Sequence, residues 1–286
     1  MFQQSRSLCA ALACSLACSA AMAQHRVDCI LNLSPGLDVA SSAQQKIQTG
    51  FFIGADDAAP TPTRVFEATL GTVAPNFTDT PGFDCVPGTF PYPSSNAFTI
   101  IEALRKWNGN GFDALRGPNV EHIQVTYGPL GPIQSPDCDA PLLGFSVVDG
   151  SNGEWHRHLE YTLTDPARTG IYLLELVISS NNPLISPTRP FWFVFQQANQ
   201  GDDPPVDPAI LAAEQQAAAD WVTANLVPQL CPADFNRDGT LGVTDIFSFL
   251  SAWFAMADGS DFNGDCVTNV QDIFDFLGAW FAGCPR

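Results

Sequence analysis

The chain has 286 residues, with 30 acidic against 12 basic side chains and a formal charge of −18. A chain this acidic repels nucleic acid and anionic lipid and favours cations as partners. Its length suits one domain with a full core plus a small module.

The first residues read as an export signal. Arg6 gives a short basic start and Leu8 to Ala20 an apolar run. Ala21-Met22-Ala23 then supplies the small-x-small pattern that signal peptidase requires. The run is too short to span a bilayer, and no later stretch is long enough to form a transmembrane segment. Residues 1–23 are assigned to this signal, which makes the protein secreted, extracellular or surface-held. A lipoprotein signal ending at Cys14 or Cys18 is the alternative, but neither has a good aliphatic residue three positions upstream. The mature part keeps Cys29, Cys85, Cys138, Cys231, Cys266 and Cys284. An even number in an oxidising compartment suits disulfides, in any of fifteen pairings.

Residues 24–198 are rich in Val, Ile, Phe and Thr, punctuated by Pro and Gly. Val65 to Leu70, Ile123 to Tyr127, Leu142 to Val148, Trp155 to Leu163, Ile171 to Ile178 and Phe191 to Phe195 read as strands, with turn signals between them. Only Phe98 to Trp107 has a helical look. Short strands at this spacing predict a mainly β domain, an antiparallel β-sandwich. Residues 199–230 read as a linker and a connecting helix. Gln200 to Pro205 is polar and proline-containing, and Asp207 offers an N-cap with Pro208 at the first helical position.

Residues 231–286 repeat themselves with an offset of 27 residues. Asp234-Phe235-Asn236-Arg237-Asp238-Gly239 aligns with Asp261-Phe262-Asn263-Gly264-Asp265-Cys266, and Ile246 to Leu250 aligns with Ile273 to Leu277. Calcium takes six to eight oxygens, and a twelve-residue loop presents them from positions 1, 3, 5, 7, 9 and 12. In the first loop these are Asp234, Asn236, Asp238, the Thr240 carbonyl, Gly242 through water, and Asp245. In the second they are Asp261, Asn263, Asp265, the Val267 carbonyl, Asn269 and Asp272. Position 6 turns sharply and favours glycine, since a left-handed backbone costs other residues about 1–2 kcal/mol. Gly239 suits the first loop. Cys266 predicts a weaker second site. After each loop, Ile246, Phe249, Leu250 and Trp253, and likewise Ile273, Phe276, Leu277 and Trp280, fall on one face of a helix. Cys231 and Cys284 bracket the unit and are candidates for a staple.

Together these features resemble a type I dockerin, in the variant that ends Gly-Cys, here Gly283-Cys284. The resemblance implies paired EF-hand-like calcium loops in a small α-helical module. It also implies calcium-dependent docking onto a cohesin-like receptor or cell-surface anchor, and association with polysaccharide-degrading assemblies. The family's recognition positions, loop residues 10 and 11, are Val243-Thr244 and Val270-Gln271 here.

In the β region, Glu154, His156, His158, Glu160 and Thr162 share one face of the Trp155 to Leu163 strand. Trp155, Arg157, Leu159, Tyr161 and Leu163 share the other. Two histidines at i and i+2 can reach one metal, zinc above all, with a nearby carboxylate as third ligand. The same pattern also describes the wet face of a half-buried strand. Thr80-Pro81-Gly82-Phe83, Trp107-Asn108-Gly109, Trp155 to His158, Gly170 to Leu174 and Pro190 to Phe195 resemble a family of surface-sorted bacterial proteins, some under zinc-responsive control.

The leading reading is a secreted calcium-binding protein with a docking module attached to a binding or structural β domain. A secreted glycoside hydrolase of polysaccharide catabolism is the alternative, with Glu67, Glu102, Glu121, Glu154, Glu160 and Glu175 as candidate carboxylates. Such an enzyme needs two carboxylates roughly 5 or 6.5–9.5 Å apart, and the sequence pairs no two of these. An extracellular zinc-binding surface protein is the third.

Overall fold

The computed structural model describes residues 28–35, 45–51, 61–199, 201–202, 204–227, 233–236, 241–257, 259–263 and 267–283. The export signal, Cys231, Cys266, Cys284, and the loop residues Asp238, Thr240 and Asp265 lie outside them.

Strands come first in chain order: β1 (Cys29–Pro35), β2 (Gln45–Phe51), β3 (Thr61–Pro62), β4 (Val65–Thr69), β5 (Phe77–Thr78) and β6 (Phe83–Asp84). Then follow β7 (Ser95–Ile100), β8 (Arg105–Trp107), β9 (Phe112–Ala114), β10 (Ile123–Tyr127) and β11 (Leu130–Gln134). The last are β12 (Leu142–Val148), β13 (Glu160–Leu163), β14 (Gly170–Ser180), β15 (Ile185–Ser186) and β16 (Phe191–Gln197). Helices α1 (Pro208–Asn225), α2 (Val243–Ala255) and α3 (Val270–Ala282) complete the chain.

The strands build three sheets, ordered β15-β2-β1-β6, β11-β10-β13-β5 and β12-β7-β14-β16-β4, with β3 beside β2 and β8 and β9 beyond β14. Most pairings are antiparallel, but β1–β6, β2–β15 and β4–β16 are parallel. The domain is therefore mainly β with mixed sheets, not antiparallel throughout. Alternation along a strand shows which face is buried and says nothing of the partner's direction.

Strands β14 and β16 carry the densest apolar runs because both of their faces are covered. Tyr172, Leu174, Leu176 and Ile178, with Phe191, Phe193 and Phe195, enter the main core. Ile171, Leu173, Trp192 and Val194 point the other way, onto Leu211, Ala218, Ala219 and Val222 of α1. The helix starts as expected, with Asp207 accepting from Ala209 N at 2.9 Å and Pro208 in the first turn. It does not hang free: buried Gln215 donates to the Ala68 and Val194 carbonyls at 2.8 and 2.9 Å.

Three local expectations are corrected. The stretch Phe98 to Trp107 is not helical. It contains the end of β7, with Phe98 and Ile100 buried, and the short β8. Pairing of β7 between β12 and β14 and the β-branched run Thr99-Ile100-Ile101 favour strand there. Of Trp155 to Leu163, only Glu160–Leu163 is continuous strand, although the inward alternation of Trp155, Leu159, Tyr161 and Leu163 holds. Cys29 and Cys85 are buried free thiols, not disulfide partners. Burial pushes both pKa values up, that of Cys85 to about 11, so neither is a ready nucleophile.

Glu175 shares the helix-facing side of β14 and accepts from Trp192 Nε1 at 3.1 Å. Burial, with the Glu102 carboxylate next, pushes its pKa from 4.5 up to about 8, against the Trp192 donor, Arg105 and Arg64. The folded state then holds a proton that the unfolded chain has released, so stability is full below the unfolded pKa and falls as pH rises toward 8. Glu175 is partly exposed, so solvent screening keeps the effect small. Glu175→Gln is expected to melt about 2–4 °C above the parent at alkaline pH and level with it at pH 4, as thermal scans across pH would show.

Candidate functional site

The two C-terminal repeats fold as matched halves. Their helices pack through the predicted faces, with Phe249 and Phe276 stacked at 4.3 Å and an interplanar angle of 11°. Phe235 and Phe262, each following the first carboxylate of its loop, stand edge-on to this pair at 5.4 to 6.2 Å. Ala233, Ile246, Leu250, Trp253, Ile273, Leu277 and Trp280 fill the rest of a small core.

Each loop is closed by the carboxylate at its twelfth position. Asp245 and Asp272 are both 0% exposed. Asp245 accepts from Asn236 N at 3.0 Å and from Gly242 N at 2.8 Å, tying the beginning of its loop to the end. Asp272 does the same with Phe262 N (2.8 Å), Asn263 N (3.3 Å) and Asn269 N (2.7 Å). Both oxygens of Asp245 and Oδ2 of Asp272 accept one bond each and keep a second lone pair, the capacity a cation would use, while Asp272 Oδ1 already accepts two. An aspartate can therefore serve at a position where glutamate would reach further, because the loop is drawn in to meet it.

The other predicted ligands among the described residues are engaged in different ways. Asp234 and Asn236, and Asp261 and Asn263, precede the helices in matched positions. The Asn263 amide nitrogen donates to Asp275 at 3.0 Å, which orients it with its oxygen as the remaining donor atom. Asn269 is committed as the N-cap of α3: its oxygen accepts from Gln271 N at 2.7 Å and its amide donates to the Val267 carbonyl at 2.9 Å. That geometry suits ligation through water at this position better than direct contact.

One link between the halves is not apparent from the loop pattern. Trp253 Nε1 donates to the Asn269 carbonyl at 2.8 Å, and Trp280 Nε1 donates to the Gly242 carbonyl at 3.0 Å. Each helix thus holds the ninth position of the other repeat's loop. If the first loop holds calcium, Trp280→Phe, a change in the second repeat, is expected to weaken it there about 3–10-fold, the worth of one hydrogen bond. Calorimetric titration with calcium, in a chain whose second loop is disabled by Asp261→Ala, would read this.

The outer helix faces carry a second repeated feature. Phe247 and Phe274 are 65% and 63% exposed, and Phe254 and Phe281 are 77% and 76% exposed. These residues lie off the i, i+3, i+4, i+7 stripe. Their recurrence at the repeat offset is the sequence signal that marks them.

In the β domain the structure brings His156 and His158 together, Nε2 to Nε2 at 3.2 Å. Asp28 and Asp84 lie beside them, with Asp28 Oδ2 3.6 Å from His158 Nε2 and Asp84 Oδ1 3.3 Å from His156 Nδ1. His122 stands apart, against Ser135 and Asp137. Several candidate catalytic carboxylates are engaged in the fold instead. Glu121 is clasped by Arg168 and Tyr172, Glu102 pairs with Arg105, and Glu160 accepts from Thr126.

No helix among the described residues is long and apolar enough to cross a membrane. No protein-family model matches the chain, and no curated protein matches it either.

Proposed function

We propose that this is a secreted protein whose β domain, of sandwich type, is held at its place of action by a calcium-dependent, dockerin-like tail. The observation that carries the reading is the duplicated closure of the loops. In both, a fully buried aspartate gathers backbone N–H groups from each end of a sequence that offers oxygen at the calcium positions. A module with so small a core draws its folding free energy from the metal, and chelation releases it.

The docking half of the proposal is supported by the exposed phenylalanines. Four large aromatic side chains in solvent are costly unless a partner covers them. Their paired placement presents two equivalent apolar faces, with Asp275 the acidic residue beside them on α3. A cohesin-like receptor or surface anchor with an apolar groove fits this surface. The variant Asp234→Ala, Asp261→Ala is expected to bind no calcium in the tail where the parent binds two ions, and to lose the near-ultraviolet signal of Trp253 and Trp280. Unchanged calcium per chain, by elemental mass spectrometry, would contradict the proposal.

A further inference from the structure

We infer that Asp28, His156 and His158 form a binding site for one divalent cation of the zinc class, with Asp84 and the Asp79 carbonyl as its supporting shell. The inference stands apart from the calcium reading and uses none of its residues.

Three chain segments make the site. The residue between the histidines, Arg157, forms a two-way backbone bridge with Phe83 of β6, at 2.7 and 2.8 Å. Flanking it, His156 and His158 project to one side. Strand β1 runs parallel to β6 with Cys29 opposite Phe83, so Asp28 at its head arrives beside the same ring pair. The Asp28 carboxylate is 0% exposed and its Oδ1 accepts from Gly82 N at 2.8 Å. That bond turns Oδ2 toward His158.

The ring protons decide the chemistry. His158 Nδ1 is 3.0 Å from the Asp79 carbonyl, which only accepts, so this nitrogen carries the proton. His156 Nδ1 faces the Asp84 carboxylate at 3.3 Å and carries its proton for the same reason. In the neutral rings both Nε2 atoms then present lone pairs to each other at 3.2 Å, with a carboxylate oxygen alongside. Three electron-rich atoms brought together repel unless a proton or a metal cation sits among them, and a metal ion engages all three at once. Two nitrogens bound to zinc at 2.0–2.1 Å and a tetrahedral angle lie roughly 3.3 Å apart, close to the spacing observed. Outer hydrogen bonds from Nδ1 to a carboxylate and to a backbone carbonyl are the usual support for ligating histidine. The ligand atoms of Asp28, His156 and His158 all lie within 4.8 Å of one another.

Ligand type fixes the class of ion. Two imidazoles and one carboxylate suit zinc and its borderline neighbours, and suit calcium and magnesium poorly. Asp28 is buried while the His156 side chain is 35% exposed, so the site opens to solvent on the His156 side. Three protein ligands leave a fourth position for water or an added ligand. Gly82 belongs to the design through its missing side chain, since a Cβ there would lie 2.8 Å from the His158 ring.

A neighbouring arrangement, Asp84, Glu154 and His156, also brings three ligand atoms together. It would use His156 through Nδ1, the nitrogen nearest Asp84, and leave the His156–His158 contact unexplained.

The test is a calorimetric titration of the chelator-stripped mature chain with zinc chloride, in excess calcium so that the tail is filled. One zinc per chain is expected, lost in His156→Ala, His158→Ala and kept in Asp234→Ala, Asp261→Ala. Asp84→Asn is expected to weaken binding about 10–100-fold. Gly82→Ala should weaken it as well, and Glu154→Gln should leave it unchanged. Cobalt in place of zinc should give the strong visible absorption of a tetrahedral site. A parent chain that binds no zinc, or zinc held equally well without the two histidines, would overturn the inference. Where the double variant loses the cooperative melt of the β domain, Asp84→Asn decides, since all three ligands remain. Unchanged affinity there contradicts the site, as does a strong loss in Glu154→Gln.

Discussion

Replacing Asp245 and Asp272 together by alanine is expected to abolish calcium binding and leave the tail unfolded while the β domain stays intact. Each carboxylate is buried and accepts backbone N–H groups from both ends of its loop. Truncation removes a ligand and strands at least two donors, each at a cost of about 1–3 kcal/mol if they stay out of water. The tail has little to set against this. Its fully buried apolar side chains among the described residues are Ala233, Phe249 and Phe276. Circular dichroism in excess calcium should therefore show lost helix, and the stacked pair Phe249–Phe276 should no longer shield the module. Asp245→Asn, Asp272→Asn keeps one acceptor oxygen per side chain and is expected to retain partial folding at much lower affinity, separating ligation from loop closure.

The second large effect is expected from Phe193→Ala in the β domain. Phe193 is 0% exposed and stands 5.6 to 6.0 Å, centroid to centroid, from Phe66, Phe83, Tyr161, Phe191 and Phe195. Truncation at such a hub costs about 3–5 kcal/mol, because rings packed edge to face cannot collapse into the space left. That is a large share of the roughly 5–15 kcal/mol that holds a domain folded. Chemical denaturation should show a lower midpoint with an unchanged slope. The same ring packs on Phe83, the residue that bridges to Arg157 between the histidines. Loss of Phe193 should thus also loosen the histidine–carboxylate cluster, although it touches neither His156 nor His158.

The parts of this molecule that repeat or alternate were readable in the chain. The doubled loops, the helix faces through Phe249 and Phe276, and the inward set Trp155, Leu159, Tyr161 and Leu163 each follow from a local period. Asp207 and Pro208 mark the start of α1 for equally local reasons. Long-range pairing was not readable. No feature of Val65 to Thr69 announces a parallel partner in Phe191 to Gln197, and the β-branched run after Phe98 gains its strand character only beside β12 and β14. The histidine–carboxylate cluster lies between these cases. His156 and His158 are close in sequence and their shared side was predictable. Asp28 and Asp84 join them only because β1 and β6 run side by side, a contact across more than fifty positions. The crossed bonds from Trp253 and Trp280 were hidden for the same reason. The residues recur visibly, but their acceptors are backbone carbonyls of the opposite repeat.

On the proposed reading, the tail is a folded module only when its loops hold calcium. Hydrogen exchange of the intact mature chain, read by mass spectrometry in calcium and after chelation, tests it most directly. Chelation is expected to remove the protection of residues 233–283 and to leave α1 and the sheets as slow as before. Equal protection of the tail in both conditions would show that it folds without the metal.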